Sequence, residues 1–517
     1  MKKKYNYFSN LEKWGGNCFR KYRVVLLSSV ITAALAYFYA FTNKLPNHDD
    51  ISQLFAKGTT LESGRWGLVV LSYIFPNFSM PWINGIISIA LISISVCFII
   101  NLFQIENKVY QALLSALLVA FPSLIGTFTY MFTAAPFSLS LLLSVIAVYL
   151  LSKKRIVYYI LSIALMTFSL GIYQSYISLA VGLILILLVK QIISDDSNTK
   201  SVIINGVYYL SFLMLSVVIY YLVTQAIFVV TNTSFGYYAN QNLNTGNEPF
   251  LLRLKIAYAM FLGEIFSGDN GLIPTLLSRI LHMIILAAMG LKGLLFIMQK
   301  HSLSKKVLFV FVAIVFPLGI NCMYLVTESS AVHTLVMYGF ASIYILLVVM
   351  IDSIKPIRDQ YAINEIIRVV SVVSCVGIAV SNIIIGNEAY LKLNLKYENT
   401  YSFYTSLVTQ IKSNTDFTPG TKIAIIGETE NLIYPYEEFN SIAEVQGTDI
   451  NVNIYSRNQF IKYYLGFDAE FANEGEIKNI SDTVEFKKMP EYPYYGSVGK
   501  IDNYLVVKFS EKVDNNE

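Results

Sequence analysis

Long apolar stretches separated by short polar links fill the chain as far as about residue 386, and the pattern changes after that. A helix crossing about 30 Å of hydrocarbon at about 1.5 Å per residue needs roughly 20 mostly apolar residues. Such stretches lie near 24–42, 82–103, 110–130, 134–152, 156–174, 176–193, 205–230, 273–298, 307–326, 335–351 and 369–386. They predict about eleven membrane spans. Segment 66–79 is apolar but short and broken by Pro76, so a surface or re-entrant piece is expected there.

Beyond the last span, residues 388–413 contain no Gly or Pro and carry Tyr397, Tyr401, Tyr404 and Val408 at helical spacing, which predicts a helix leading away from the membrane. Residues 421–428 read Thr-Lys-Ile-Ala-Ile-Ile-Gly-Glu, which fits a buried strand, and 504–509 fit a final one. Roughly 130 residues can bury a small α/β core.

Composition agrees: 55% hydrophobic residues, 14% charged ones and a mean hydropathy of +0.54 exclude an ordinary soluble protein. Acidic residues number 14 before residue 387 and 20 after it, and basic ones 26 and 12. A basic membrane block is thus joined to an acidic tail. With a cytoplasmic N-terminus, most Lys and Arg of the block fall inside, among them the N-terminal cluster, the 153–155 group and the 292–306 group. The outer segments then hold Lys44, Lys57, Arg65, Arg253, Lys255 and Arg279. An odd span count puts the tail outside. Lys2, Lys3, Lys4, Lys13, Arg20, Lys21 and Arg23 precede the first apolar run, which predicts an uncleaved signal anchor. The expected fold is a polytopic α-helical membrane domain over 1–386 with a small α/β exocytoplasmic domain over 387–517. Cys18, Cys97, Cys322 and Cys375 suggest neither a disulfide framework nor a zinc site.

The first outer loop places Asp49 and Asp50 just beyond span one, followed by Arg65-Trp66. Adjacent carboxylates repel, which raises the basicity of one and suits a general base or a divalent-metal ligand. A solvated turn after Pro46 fits the same residues. Arg65, Arg253 and Lys255 are candidates for an anionic group such as a lipid-linked phosphate, though interfacial snorkelling would also place cations there. His48, Glu62, Trp66 and Gln174 are candidate substrate contacts, and Tyr73 and Trp82 could pack on a sugar ring. Glu248, Glu264, Asp269, Glu328 and His333 followed by Tyr338 are weaker outer candidates. The tail has no Walker loop, dinucleotide fingerprint or nucleophile elbow, so acceptor recognition or site covering is expected of it.

Several stretches in order resemble the bacterial membrane glucosyltransferases related to phage serotype-converting (O-antigen) enzymes, of the type C glycosyltransferase (GT-C) group. They are Asn47-His48-Asp49-Asp50, Gly64-Arg65-Trp66-Gly67, the 129–136 stretch with Pro136, Gly171-Ile172-Tyr173-Gln174-Ser175-Tyr176, the 489–498 stretch and Val506-Val507-Lys508. The resemblance implies transfer of a sugar, typically glucose, from a polyprenyl-phosphate donor to a surface glycan on the outer face of a bacterial cytoplasmic membrane. It also implies an essential acid in the first outer loop, here Asp49 or Asp50. Membrane lipid is the surrounding partner, and no nucleic acid is implied. The competing classes are a transporter or flippase, and a polymerase or ligase, of lipid-linked saccharides.

Overall fold

The computed structural model describes residues 7–511 except 56–60, 76, 77, 196, 237, 238, 240–247, 269, 270, 330, 331, 356–360, 435–437, 439–441, 443, 444, 448, 451 and 453. Of 7–18, 430, 431, 454 and 455 only the backbone is described. Lys2, Lys3, Lys4, Lys57, Pro76 and Asp269, and the side chains of Lys13 and Cys18, therefore lie outside the described residues.

Helix α1 (Tyr7–Thr42) leads to the short α2 (His48–Ser52) and α3 (Trp66–Leu71). Then come α4 (Pro81–Phe103), α5 (Lys108–Val119), α6 (Pro122–Thr127), α7 (Met131–Leu151), α8 (Ile156–Ile172), α9 (Ile177–Ile193) and α10 (Thr199–Thr231). The block closes with α11 (Phe250–Phe266), α12 (Leu276–Met298), α13 (Leu303–Ile320), α14 (Met323–Val326), α15 (Ser342–Ser353) and the start of α16 (Tyr361–Ser413). Among the described residues eight helices are long and apolar enough to cross a membrane. Three shorter apolar ones, Lys108–Val119, Ile156–Ile172 and Tyr338–Ser353, lie where the remaining three expected spans were placed. The chain is a multi-pass membrane protein.

Three regions depart from expectation. The 110–130 stretch is not one helix, because Pro122 cannot continue α5 and starts α6 instead. The break exposes carbonyls that lipid cannot satisfy. Tyrosines from distant helices supply the donors: Tyr338 Oη to Leu118 O at 2.8 Å, Tyr37 Oη to Val119 O at 2.7 Å and Tyr390 Oη to Ile125 O at 2.9 Å. The 307–326 stretch is likewise interrupted after Ile320, with Asn321 Nδ2 donating to Ala257 O of α11 at 2.9 Å. Helix α11 itself was not anticipated, because Arg253, Lys255 and Glu264 dilute its hydropathy.

Helix α16 spans 53 residues, about 80 Å at helical rise, and runs unbroken from the membrane block into the tail. The expected 386/387 boundary falls inside it. Its membrane part packs on α1 and α12, with Asn387 Nδ2 donating to Leu35 O of α1 at 2.9 Å.

The tail adds α17 (Glu430–Ile433), α18 (Ile454–Leu465), α19 (Glu474–Ser481), α20 (Val484–Lys488) and strands β1 (Lys422–Ile426), β2 (Val498–Ile501) and β3 (Tyr504–Lys508). The sheet order is β1-β3-β2, with β1 parallel and β2 antiparallel to β3. Alternation sends Ile423, Ile425, Leu505 and Val507 into the core shared with α16 and α18, and Ala424, Ile426 and Val506 toward α19 and α20. Burial on both faces explains why β1 reads as a continuous apolar run.

Candidate functional site

The loop after α1 is built around Asn47. Its buried side chain accepts from Asp50 N at 2.9 Å, capping α2, and donates to Thr129 Oγ1 at 3.1 Å, fastening the loop to the α6–α7 link. Successive helical residues point about 100° apart, and the two carboxylates separate accordingly. Asp50 is 1% exposed; Lys44 Nζ pairs with one of its oxygens and Ser79 Oγ donates to the other. The Asp49 side chain is 43% exposed, with His48 Nε2 at 3.8 Å. Among the described residues no group of three or more His, Cys, Asp or Glu is gathered as a metal cage.

The second half of the loop turns at Gly64 (φ +71°), where a Cβ would strike Tyr220 Oη at 2.5 Å. Gln174 Nε2 donates to Ser63 O and Tyr220 Oη, both at 2.9 Å, and Tyr220 Oη donates to Gly64 O at 3.2 Å. Gln174 therefore holds the loop in place. Glu62 is exposed, and its backbone carbonyl accepts from Gly236 N at 3.0 Å.

This turn delivers Arg65 to an aromatic seat. Its guanidinium carbon lies 5.2 Å from the Tyr173 ring centroid and 5.8 Å from that of Phe137, and the two rings stack at 4.1 Å. Arg65 Nε is buried without a hydrogen-bond partner. The next residue, Trp66, packs its ring on Gly171, where any Cβ would lie 2.5 Å from it, and its Nε1 is buried and unpaired. His333 lies within electrostatic reach of Arg65, on a segment that Ser175 Oγ fastens by donating to Val336 O at 2.8 Å. Its Nδ1 is a third buried nitrogen without a partner. Burial, and then the Arg65 charge, push the His333 imidazole down to about 4, so it is neutral near pH 7.

The other proposed phosphate ligands are placed differently. Arg253 donates to the backbone carbonyls of Glu248 (3.2 Å) and Leu325 (3.0 Å), tying α11 to α14. Lys255, two residues on and so on a different side of α11, is exposed. Tyr73 and Trp82 are also exposed. The sequence reading did not single out Lys44 or Ser79 as partners of Asp50; the proximity of Lys44 to Asp50 along the chain was the only signal.

The tail reaches this face. Gly447 (φ +86°) passes so close to Thr129, Tyr130 and Asn47 that a Cβ would lie 2.3 Å from Thr129 Oγ1, and Gln446 N donates to Thr334 Oγ1 at 3.0 Å. From α18, the Tyr463 ring meets Phe55 at 4.9 Å.

The family comparison covers this whole site. Residues 38–346, well over half the chain and including every loop just described except the tail's, match the family model described as Glucosyl transferase GtrII. This protein belongs to the GtrII glucosyltransferase family. None of the curated proteins and none of the solved structures compared with it matches. As a GtrII glucosyltransferase it is a membrane enzyme acting on a sugar donor and a glycan acceptor, which sets the transporter reading aside. The match starts within α1 and stops in α15, so α2, α3, Gln174 and His333 lie inside the family region and the tail lies beyond it.

Proposed function

We propose that this enzyme transfers glucose from a polyprenyl-phosphate donor to a surface glycan at the outer face of the bacterial cytoplasmic membrane, with its N-terminus in the cytoplasm and its tail, residues 387–517, outside. The concentration of Lys and Arg on the opposite face supports that orientation. The observation that carries the donor assignment is the Arg65 seat. A cation held on two rings, with the buried and partnerless Trp66 Nε1 on the next residue and His333 within reach of its charge, is matched by a phosphate oxyanion. A lipid tail left in the bilayer explains why such a seat stands on membrane helices.

Asp49 is the general base in this reading, and Asp50 positions it. Asp50 is committed to Lys44 and Ser79, so Asp49 is the solvent-reaching carboxylate of the pair, which matches a one-step displacement with inversion. Asp49 accepts the proton of an acceptor hydroxyl as that oxygen bonds to the anomeric carbon. The bond from that carbon to the phosphate oxygen breaks, and its electron pair leaves on the lipid phosphate, whose charge Arg65 offsets. Arg253 and Lys255 serve as interfacial cations near the donor lipid, His48 and Glu62 shape the sugar side of the site, and Gln174 holds the loop that presents Arg65 and Trp66 to the phosphate.

The test supplies purified protein in nanodiscs with either polyprenyl-phosphate glucose or a nucleotide glucose, together with the glycan acceptor. Transfer from the lipid-linked donor alone is expected. Transfer from the nucleotide sugar alone overturns the reading.

A further inference from the structure

The tail contains a cavity of about 510 Å³ that the catalytic reading does not use. Its volume falls within the range of small-ligand sites, about 300–1,000 Å³. It opens at the edge of the sheet. The first half of β1 is covered by residues 470–472, with Ile423 N donating to Glu470 O and Ala472 N to Ile423 O, both at 2.8 Å. Further along β1, that pairing gives way to Arg457, whose Nη2 donates to Ile425 O at 2.8 Å.

Two successive residues line this wall, and their side-chain oxygens, Asn458 Oδ1 and Gln459 Oε1, are buried and make no hydrogen bond. An unmet buried acceptor is costly, and two on residues that line one cavity call for a ligand that presents hydrogen-bond donors. The two charges that line the same space are opposite in sign: Arg457 is buried and donates to the strand, and Glu474 is exposed at the rim. Phe471 adds a half-buried aromatic surface. Hydroxyl donors, neutrality and an apolar face together describe a sugar ring.

Helix α18 joins this cavity to the catalytic loop. Asn458 and Gln459 sit in its first turns, and Tyr463, which packs on Phe55, lies about 6 to 8 Å further along the axis at helical rise. We propose that the cavity is a binding subsite for a neutral sugar unit of the acceptor glycan, distinct from the unit that receives glucose. This rests on the transferase reading above and adds where the acceptor is gripped.

Gly475 provides the test. It lines the cavity, and a Cβ there meets only Asn473 Oδ1, at 3.4 Å, so Gly475→Trp can fill the space with little strain. The probe is labelled oligosaccharide cut from the surface glycan of cells that express the protein, titrated against the full chain in nanodiscs. Gly475→Trp and Gln459→Leu are each expected to weaken binding about tenfold or more. Undiminished binding by a folded Gly475→Trp protein overturns the subsite, as does no binding by the wild type. If Gly475→Trp does not fold, Gln459→Leu decides by the same criterion. Binding is read without turnover, so a failure of the lipid-donor reading would show separately, as wild-type protein that grips the oligosaccharide but does not use polyprenyl-phosphate glucose.

Discussion

Lys44 reaches over Pro46 and the Asn47 cap to the buried carboxylate of Asp50, so the last residues of the α1 exit and the first turn of α2 are held as one unit. Removing one member of a buried ion pair leaves an uncompensated charge, at a cost of about 3–5 kcal/mol. Lys44→Met is therefore expected to destabilise the protein by about that amount. The double variant Lys44→Met/Asp50→Asn should lose clearly less than the sum of the two single changes. Thermal melts of the detergent-solubilised chain measure this, and additive losses would show that the pair does not act together.

Arg65 differs from Arg253 in having its cation presented on rings instead of spent on carbonyls. Arg65→Met is expected to raise the donor KM at least tenfold with little change in melting temperature. Arg65→Lys should recover only part of the loss, because an ammonium keeps the charge without the planar fork. Steady-state kinetics with varied lipid-linked donor check both.

His333 gives the site a pH dependence. Its imidazole is neutral in the folded protein down to about 4, whereas an unfolded chain protonates it near 6.5. Between those values the unfolded state binds more protons, so stability falls as pH drops from about 6.5 to about 4 and is unaffected above that window. The full loss is on the order of 3 kcal/mol. Melting temperature followed from pH 7 to pH 5 should drop less in His333→Gln than in the wild type.

The helix break at Pro122 depends on tyrosine hydroxyls. Tyr338→Phe strips the Leu118 carbonyl of its donor inside the membrane block and is expected to cost about 1–3 kcal/mol. Denaturant or thermal unfolding of the variant measures it.

The spans were legible because hydropathy reports partition into lipid, and a 20-residue apolar run has few other uses. The helix over 388–413 and the strands β1 and β3 were legible from spacing and β-branched content. The Pro122 break was not, since residues 110–130 are apolar on both sides of it and its carbonyls are satisfied by Tyr37, Tyr338 and Tyr390 from distant parts of the chain. Strand β2 was missed because Gly499 and Lys500 leave it no apolar alternation. At the site, the sequence put Asp49, Asp50 and Arg65 in one loop. The division between a buried and a half-exposed carboxylate is a matter of helical direction and of Ser79, 29 residues downstream, which no local pattern records.

The central claim, that Asp49 is the base for transfer from a polyprenyl-phosphate sugar, is tested most directly by assaying Asp49→Asn in nanodiscs with polyprenyl-phosphate glucose and the acceptor glycan. Loss of a general base costs about 10²–10⁴-fold in rate. Because Asp49 is half-exposed, the variant should melt with the wild type. A well-folded Asp49→Asn enzyme with turnover reduced by that factor is the expected result. Turnover within a few-fold of the wild type would contradict the account.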